Sequence, residues 1–239
     1  MQKLPQKFSP PERQRILEAA KESFKRNEGK IAFDYLTKER KIIPSVLEML
    51  EVGYCPKTTG HPLSGRIIFP LRDVYGNLIS LNTRHLDKDA YAKFWHESFD
   101  KGSNLYNLYN IVKHKNRYIK NSKFIVVEGE IDVAILLSYG FKNIVGISGS
   151  AFTYCHFRIL SGRTSSIFLM LDGDPAGRSG IKRAKKMYIK KGLESYGINF
   201  IPVYLPDKID PDEYIRNQGK EQLGKLLQQS YKEKDLDFG

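Results

Sequence analysis

Two aspartates one residue apart, Asp172 and Asp174, close an apolar run in FLMLDGDPAGRSG. Glu128 closes another in KFIVVEG, and Asp210 and Asp212 follow a third in INFIPVYLPDKIDPD. Each acid alone reads as a turn residue or helix cap, because aspartate and glycine are ordinary in such places. In combination they admit a different chemistry. Carboxylates drawn to one edge repel one another unless a cation sits among them, and hard oxygen donors suit Mg²⁺ or Mn²⁺. Metal held in this way would let a chain of formal net charge +12 work on phosphate.

What would bring the acids together is the order of elements from residue 123 onward. KFIVVEG, NIVGISG, SSIFLMLDGD and INFIPVYLPD read as short buried strands, with EIDVAILLSYG, SAFTYCHFRILSG and PAGRSGIKRAKKMYIKKG as the helices between them. That alternation predicts right-handed βαβ units and a parallel sheet covered on both faces. In such sheets functional groups gather beyond the carboxyl ends of the strands, which is where the five acids fall. PDEYIRNQGKEQLGKLLQQSYKEK reads as an amphipathic helix.

The first half has another texture. The opening residues, with Pro5, Pro10 and Pro11, read as a flexible arm; ERQRILEAAKESFKRN, IAFDYLTKER and PSVLEMLEV read as helices, the first stopped at Gly29. GRIIFPLRDVYGNLISLNTRHL reads as two strands around a turn at Tyr75-Gly76-Asn77, and the aromatic, lysine-rich segment after it as short helix and loop.

At 41% hydrophobic and 28% charged, 239 residues make a core-forming protein of one or two domains. No run reaches the ~18 apolar residues of a membrane span and MQKLPQKFSPPERQR lacks the apolar stretch of a secretory signal, so the cytoplasm is the expected compartment, with no membrane partner. Cys55 and Cys155 form no CxxC, and the five histidines make no ligand pattern, so no zinc site is expected; the histidines read as surface or template-contacting residues. Residues 1–121 hold 22 Lys+Arg against 13 Asp+Glu, 122–206 hold 11 against 6, and 207–239 hold 6 against 8, a balance that favours a polyanionic partner.

EGKIAFDYL, GYCP, GRIIFPLRDVYGNLI, FIVVEGEIDVAILLSYGF, LDGDPAGRSG and LPDKIDPDEYIRNQGKE, taken in this order, resemble the TOPRIM domain and catalytic core of DnaG-type primases over roughly residues 25–225. The fold implied is α/β: a Rossmann-like parallel sheet of about four strands after a mixed helix and strand lead-in. The domains implied are a basic primase subdomain at 1–121, a TOPRIM domain at 122–212 and a helical segment at 213–239. The resemblance implies synthesis of short RNA primers from NTPs on single-stranded DNA by metal-dependent nucleotidyl transfer, with an RNA–DNA hybrid as product.

By the family's motifs Glu128, Asp172 and Asp174 are the catalytic acids, and all three with Asp210 and Asp212 the Mg²⁺ or Mn²⁺ ligands. Asp132 matches a further acidic position and reads equally as a helix-start residue. Arg66, Arg72, Arg84, Lys93 and Lys101 match residues that face nucleotide and template. Tyr91, Phe94, Trp95 and Phe99 could stack bases or belong to the core, to which Tyr106 and Tyr109 fit better. The cations of PAGRSGIKRAKKMYIKK could line the nucleic-acid path or form a solvated face. The zinc-binding and helicase-binding domains of known members are not recognisable in this sequence, which suggests a compact phage or mobile-element relative, or an isolated core, working with a separate zinc module and a replicative helicase. A TOPRIM-type nuclease and a non-catalytic nucleic-acid-binding module are the alternatives.

Overall fold

The computed structural model describes residues 7–57, 61–87, 90, 92–113 and 122–234. The chain divides into two compact units, Met1–Phe99 and Asp100–Gly239. This division falls ahead of the 121/122 boundary that the resemblance implies. Tyr106 exchanges backbone hydrogen bonds with Gly146, and the Asn107 side-chain amide donates to the Ile144 carbonyl, so this segment belongs with the second unit.

In the first unit, helix α1 (Pro10–Lys25) begins where Ser9 and Glu12 form a capping box and proline occupies the first turn. It buries Arg13, Leu17 and Ala20. Phe8, within the expected arm, is buried as well, because its ring joins Leu17, Ala20, Cys55, Leu63, Ile68 and Leu81 in one apolar cluster. A 3-10 turn through Gly29 leads to α2 (Lys30–Asp34), whose last turns widen into a π-helix at Tyr35–Glu39. Helix α3 (Pro44–Met49) follows. Strands β1 (Gly53–Cys55), β2 (Arg66–Arg72), β3 (Leu78–His85) and β4 (Phe94–His96) form an antiparallel sheet in that order. The β2–β3 turn is held by Asp73, which accepts from the backbone amides of Tyr75 and Asn77. Strand β4 lies where helix and loop were expected; Trp95 pairs with Thr83 at the sheet edge, a long-range contact that local pattern does not announce.

In the second unit, α4 (Leu108–Lys113) precedes the alternating part: β5 (Lys123–Val127), α5 (Glu130–Ser138), β6 (Ile144–Gly146), α6 (Tyr154–Ser161), β7 (Ser166–Leu169), α7 (Pro175–Lys190), β8 (Asn199–Pro202) and α8 (Pro211–Glu233). The four strands are parallel in the order β6-β5-β7-β8, with buried side chains filling β5, β6 and β7. This is the α/β sheet expected. The chain leaves β5 for β6 on one side and crosses back to β7 on the other, so strand order reverses at the carboxyl ends of β5 and β7, where such sheets open a crevice. Helix α8 is not continuous: Gly219, at φ 77° and ψ 172°, breaks it in a conformation reserved for glycine.

Candidate active site

Glu128 is the first residue past β5, and Asp172 stands three residues past β7. The Asp172 amide donates to Glu128 Oε1 at 3.3 Å, closing the mouth between the two strands. Gly173 then crosses to the loop after β8, donating to the Ile209 carbonyl at 2.9 Å and accepting from the Lys208 amide at 3.0 Å. A Cβ there would meet the Pro206 carbonyl oxygen at 2.0 Å, so only glycine permits this approach. Asp174 caps α7 by accepting from the Gly177 amide at 2.7 Å, and a Cβ on Gly177 would meet the Asp172 carbonyl oxygen at 2.2 Å. The spacing of DGDPAG thus has two steric reasons.

On the β8 side, Asp210 caps α8 and accepts from the Glu213 amide at 2.6 Å. Asp212 is buried and paired with Arg216, 2.6 Å from Nε to Oδ1. Asp132 bridges two elements: its Oδ2 accepts from the Gly129 amide at 3.1 Å and its Oδ1 from the Asp212 amide at 3.2 Å. It is therefore both a helix-start residue and the tie between the first turns of α5 and α8.

The electrostatics bear the mark of crowded acids. Burial, then the charges of Asp172 and Asp174, pushes Glu128 up to about 7. Burial, then Asp210 and Asp174, pushes Asp172 up to about 6. Asp132 is held well above the ordinary range by burial and by the charges of Asp172, Asp210 and Asp212. Asp172 Oδ1 is buried and has no hydrogen-bond partner among the described residues. An orphaned carboxylate oxygen among mutually repelling oxygen donors fits a hard divalent cation. Among the described residues the acids nonetheless interact in overlapping pairs, and no three of them close to ligand spacing around one point.

Lys101 belongs to this unit, half-buried in a 3-10 turn capped by Asp100. Burial lowers its ammonium, and the charge of Glu130 opposes that shift. His156, expected at the surface, is fully buried: its Nε2 lies 2.8 Å from the Lys101 carbonyl and 3.1 Å from that of Asn104, fixing the turn. Sequence reasoning passed over Glu130, which accepts from Ser148 Oγ at 2.8 Å, and Asp207, which pairs with Arg178. Its signal for Glu130 was present in the acidic string EGEID.

The other basic candidates lie in the first unit. Arg66 is buried, with its guanidinium donating to the Ala92 carbonyl and to Thr83 Oγ1. Arg72 is bidentate to Glu51, at 2.6 and 3.1 Å, and donates to the Gly76 carbonyl. Arg84 stacks over Tyr35 and Phe94, and Lys93 stands 5.7 Å from the Phe94 ring. Of the aromatic candidates Phe94 is 61% exposed, Trp95 packs on the apolar cluster, Phe99 meets His96 edge-on, and Tyr91 lies outside the described residues.

Residues 125–215 match the family described as Toprim-like. The curated DNA primase of Aquifex aeolicus (strain VF5) is 31% identical over 250 residues, an alignment covering 90% of this chain and 48% of the relative. A solved structure of the DnaG catalytic core superposes with a TM-score of 0.80 at 26% identity, covering 91% of this chain and 78% of that one. A DnaG primase catalytic domain bound to ssDNA superposes with a TM-score of 0.78 at 25% identity, covering 91% and 79%. The chain spans about half the length of the curated relatives it matches, or less.

Proposed function

We propose that this chain, whose catalytic core belongs to the DnaG-type primases, joins nucleotides into short RNA primers on a single-stranded DNA template. The observation that carries the reading is the contact between the ends of β5 and β7, with the Asp172 amide on Glu128 Oε1 and Asp172 Oδ1 buried without a partner among the described residues. In this class of reaction a 3′-hydroxyl attacks the α-phosphorus of an incoming nucleoside triphosphate and pyrophosphate leaves. Catalysis then rests on positioning and charge. Glu128, Asp172 and Asp174, with Asp210 and Asp212, would hold Mg²⁺ or Mn²⁺, which supplies charge neutralisation at the attacking and leaving oxygens.

The chain's own part is placement and proton handling. Gly173 pins the β7 loop to the β8 loop, and Asp132 ties α5 to α8, so the acids keep their mutual positions. Without metal, burial and the neighbouring acids raise Glu128 to about 7, so a bound cation would displace a proton from it near neutral pH. Arg84, Lys93 and Lys101 are the residues we assign to triphosphate and template, whereas Arg66 and Arg72 would act by stiffening the sheet that presents them. The working partners are single-stranded DNA, NTPs and the RNA–DNA hybrid, with a separate zinc-binding module and a replicative helicase, in the cytoplasm of the cell or of a phage host.

Extension of a pre-annealed primer on single-stranded DNA, with NTPs and Mn²⁺, tests the reading. Extension is expected from the native chain, and Asp172→Asn should lose about 10²-fold or more in rate while template affinity stays within about twofold. Shortened DNA would assign a nuclease, and a mobility shift without product a binding module. Either result, or undiminished extension by the variant, would overturn the proposal.

A further inference from the structure

Lys101, which the proposed function sets against the triphosphate, is carried by a single 3-10 turn, Lys101–Ser103, a unit too short to hold its own place. A Cβ on Gly149 would stand 4.0 Å from Lys101 Nζ, so the ammonium lies over the loop that follows β6. Gly146 pairs with Val127, and that loop therefore opens at the same edge of the sheet as Glu128. Asp100 accepts from the Gly102 amide and the Ser103 hydroxyl, which closes the turn on itself without fastening it to the sheet.

The fastening comes from α6. Thr153 Oγ1 donates to the Gly102 carbonyl and accepts from the His156 amide at 3.1 Å. His156 uses both ring nitrogens. Nδ1 accepts from the Thr153 amide at 3.3 Å, so the proton belongs on Nε2, which divides it between the carbonyls of Lys101 at 2.8 Å and Asn104 at 3.1 Å. Burial holds the imidazole below its ordinary range and hence neutral, the state that serves all three partners. Among the described residues no hydrogen bond joins His156 to Glu128, Asp172 or Asp174, so its influence on chemistry runs through the turn.

We propose that His156 is a positioning residue for nucleotide: by donating from Nε2 to the Lys101 carbonyl, it fixes the point from which the Lys101 ammonium meets the phosphates of an incoming nucleoside triphosphate. The assignment of Lys101 to the triphosphate is the part of the functional reading on which this rests. Lysine is a point charge on a flexible stem, so the place of its backbone decides whether the ammonium reaches a phosphate. Losing the donor leaves two part-buried carbonyls short of a partner and frees the turn to move.

Fluorescence titration with mant-ATP and Mg²⁺, in the absence of primer and template, reads binding without chemistry; KM and kcat for ATP in primer extension read the rest. His156→Gln keeps an amide N–H at the reach of Nε2, whereas His156→Asn is a bond shorter and reaches only the Thr153 amide. The asparagine variant should bind mant-ATP about 5- to 10-fold more weakly and raise KM by a similar factor with kcat within about twofold, while the glutamine variant stays within about threefold of native. Lys101→Met should weaken binding about 10-fold or more, and adding His156→Asn to it should cost less than about twofold further. Thr153→Val cuts the tie to Gly102 and should repeat the His156→Asn pattern, so a poorly folded asparagine variant would not spare the proposal. No mant-ATP binding by the native chain, native affinity in His156→Asn and Thr153→Val, equal losses with and without the Lys101 ammonium, or equal losses from glutamine and asparagine would overturn the inference. A native chain that binds mant-ATP in this Lys101-dependent way yet extends no primer would uphold it and overturn the catalytic reading alone.

Discussion

Glu128 at about 7 and Asp172 at about 6 keep their protons far above the ordinary carboxylate range because each is buried beside other acids. Both bind a proton more tightly folded than unfolded. The folded state is therefore favoured fully below the unfolded carboxylate values, and it loses that advantage as pH rises through about 6 and then about 7. Metal-free protein should show a thermal midpoint that falls between about pH 5 and pH 8, and Mg²⁺ should flatten the fall by replacing the protons. Calorimetry with and without EDTA at constant ionic strength checks this; a metal-free midpoint that climbs over that range would contradict the crowding of the acids. The acids themselves were legible because a strand end followed by Asp-Gly or Glu-Gly is a local signal. The duties of Asp132, Arg66 and Arg72 were not, since each is decided by amides, carbonyls or a carboxylate that arrive from distant parts of the chain.

Among the elements, the first unit depends on a charge pair inside its apolar interior. Glu97 is fully buried, bonded to Arg13 Nε at 2.7 Å, and it also accepts from the amides of Phe8 at 2.9 Å and Leu81 at 3.1 Å. One carboxylate thereby fastens the start of α1, the middle of β3 and the residue after β4. Glu97→Ala would strand a buried guanidinium and two amides, and urea unfolding should show a loss of about 3–5 kcal/mol. A change below about 1 kcal/mol would mean that the pair is dispensable. The parallel sheet and its helices were readable from periodicity, because each buried strand there is a continuous apolar run bounded by turn residues. Strand β4 was hidden by its exposed Phe94 and His96, which break that pattern, and the π-turn at Tyr35–Glu39 by helix-forming residues that hold either geometry. The break at Gly219 needed the backbone angle, since glycine inside a helical pattern is tolerated as often as it interrupts.

For the molecule as a whole, the +12 charge is concentrated outside the strand ends that gather acids, and the order β6-β5-β7-β8 places the reversal of the chain at those ends. No helix among the described residues is long and apolar enough to cross a membrane. The Toprim-like match at residues 125–215 spans the same four strands and reaches Ile215 in the first turns of α8, so the family signal and the crevice coincide. Whether that crevice takes a divalent cation is the point on which the proposed polymerase chemistry turns. Calorimetric titration of Mn²⁺ into metal-free protein at about pH 6, where Glu128 and Asp172 still hold protons, for the native chain, Asp172→Asn and Glu128→Gln, measures it directly. Binding with proton release is expected for the native chain, and affinity at least about 10-fold weaker for each variant. Unchanged affinity and stoichiometry in both variants would contradict it.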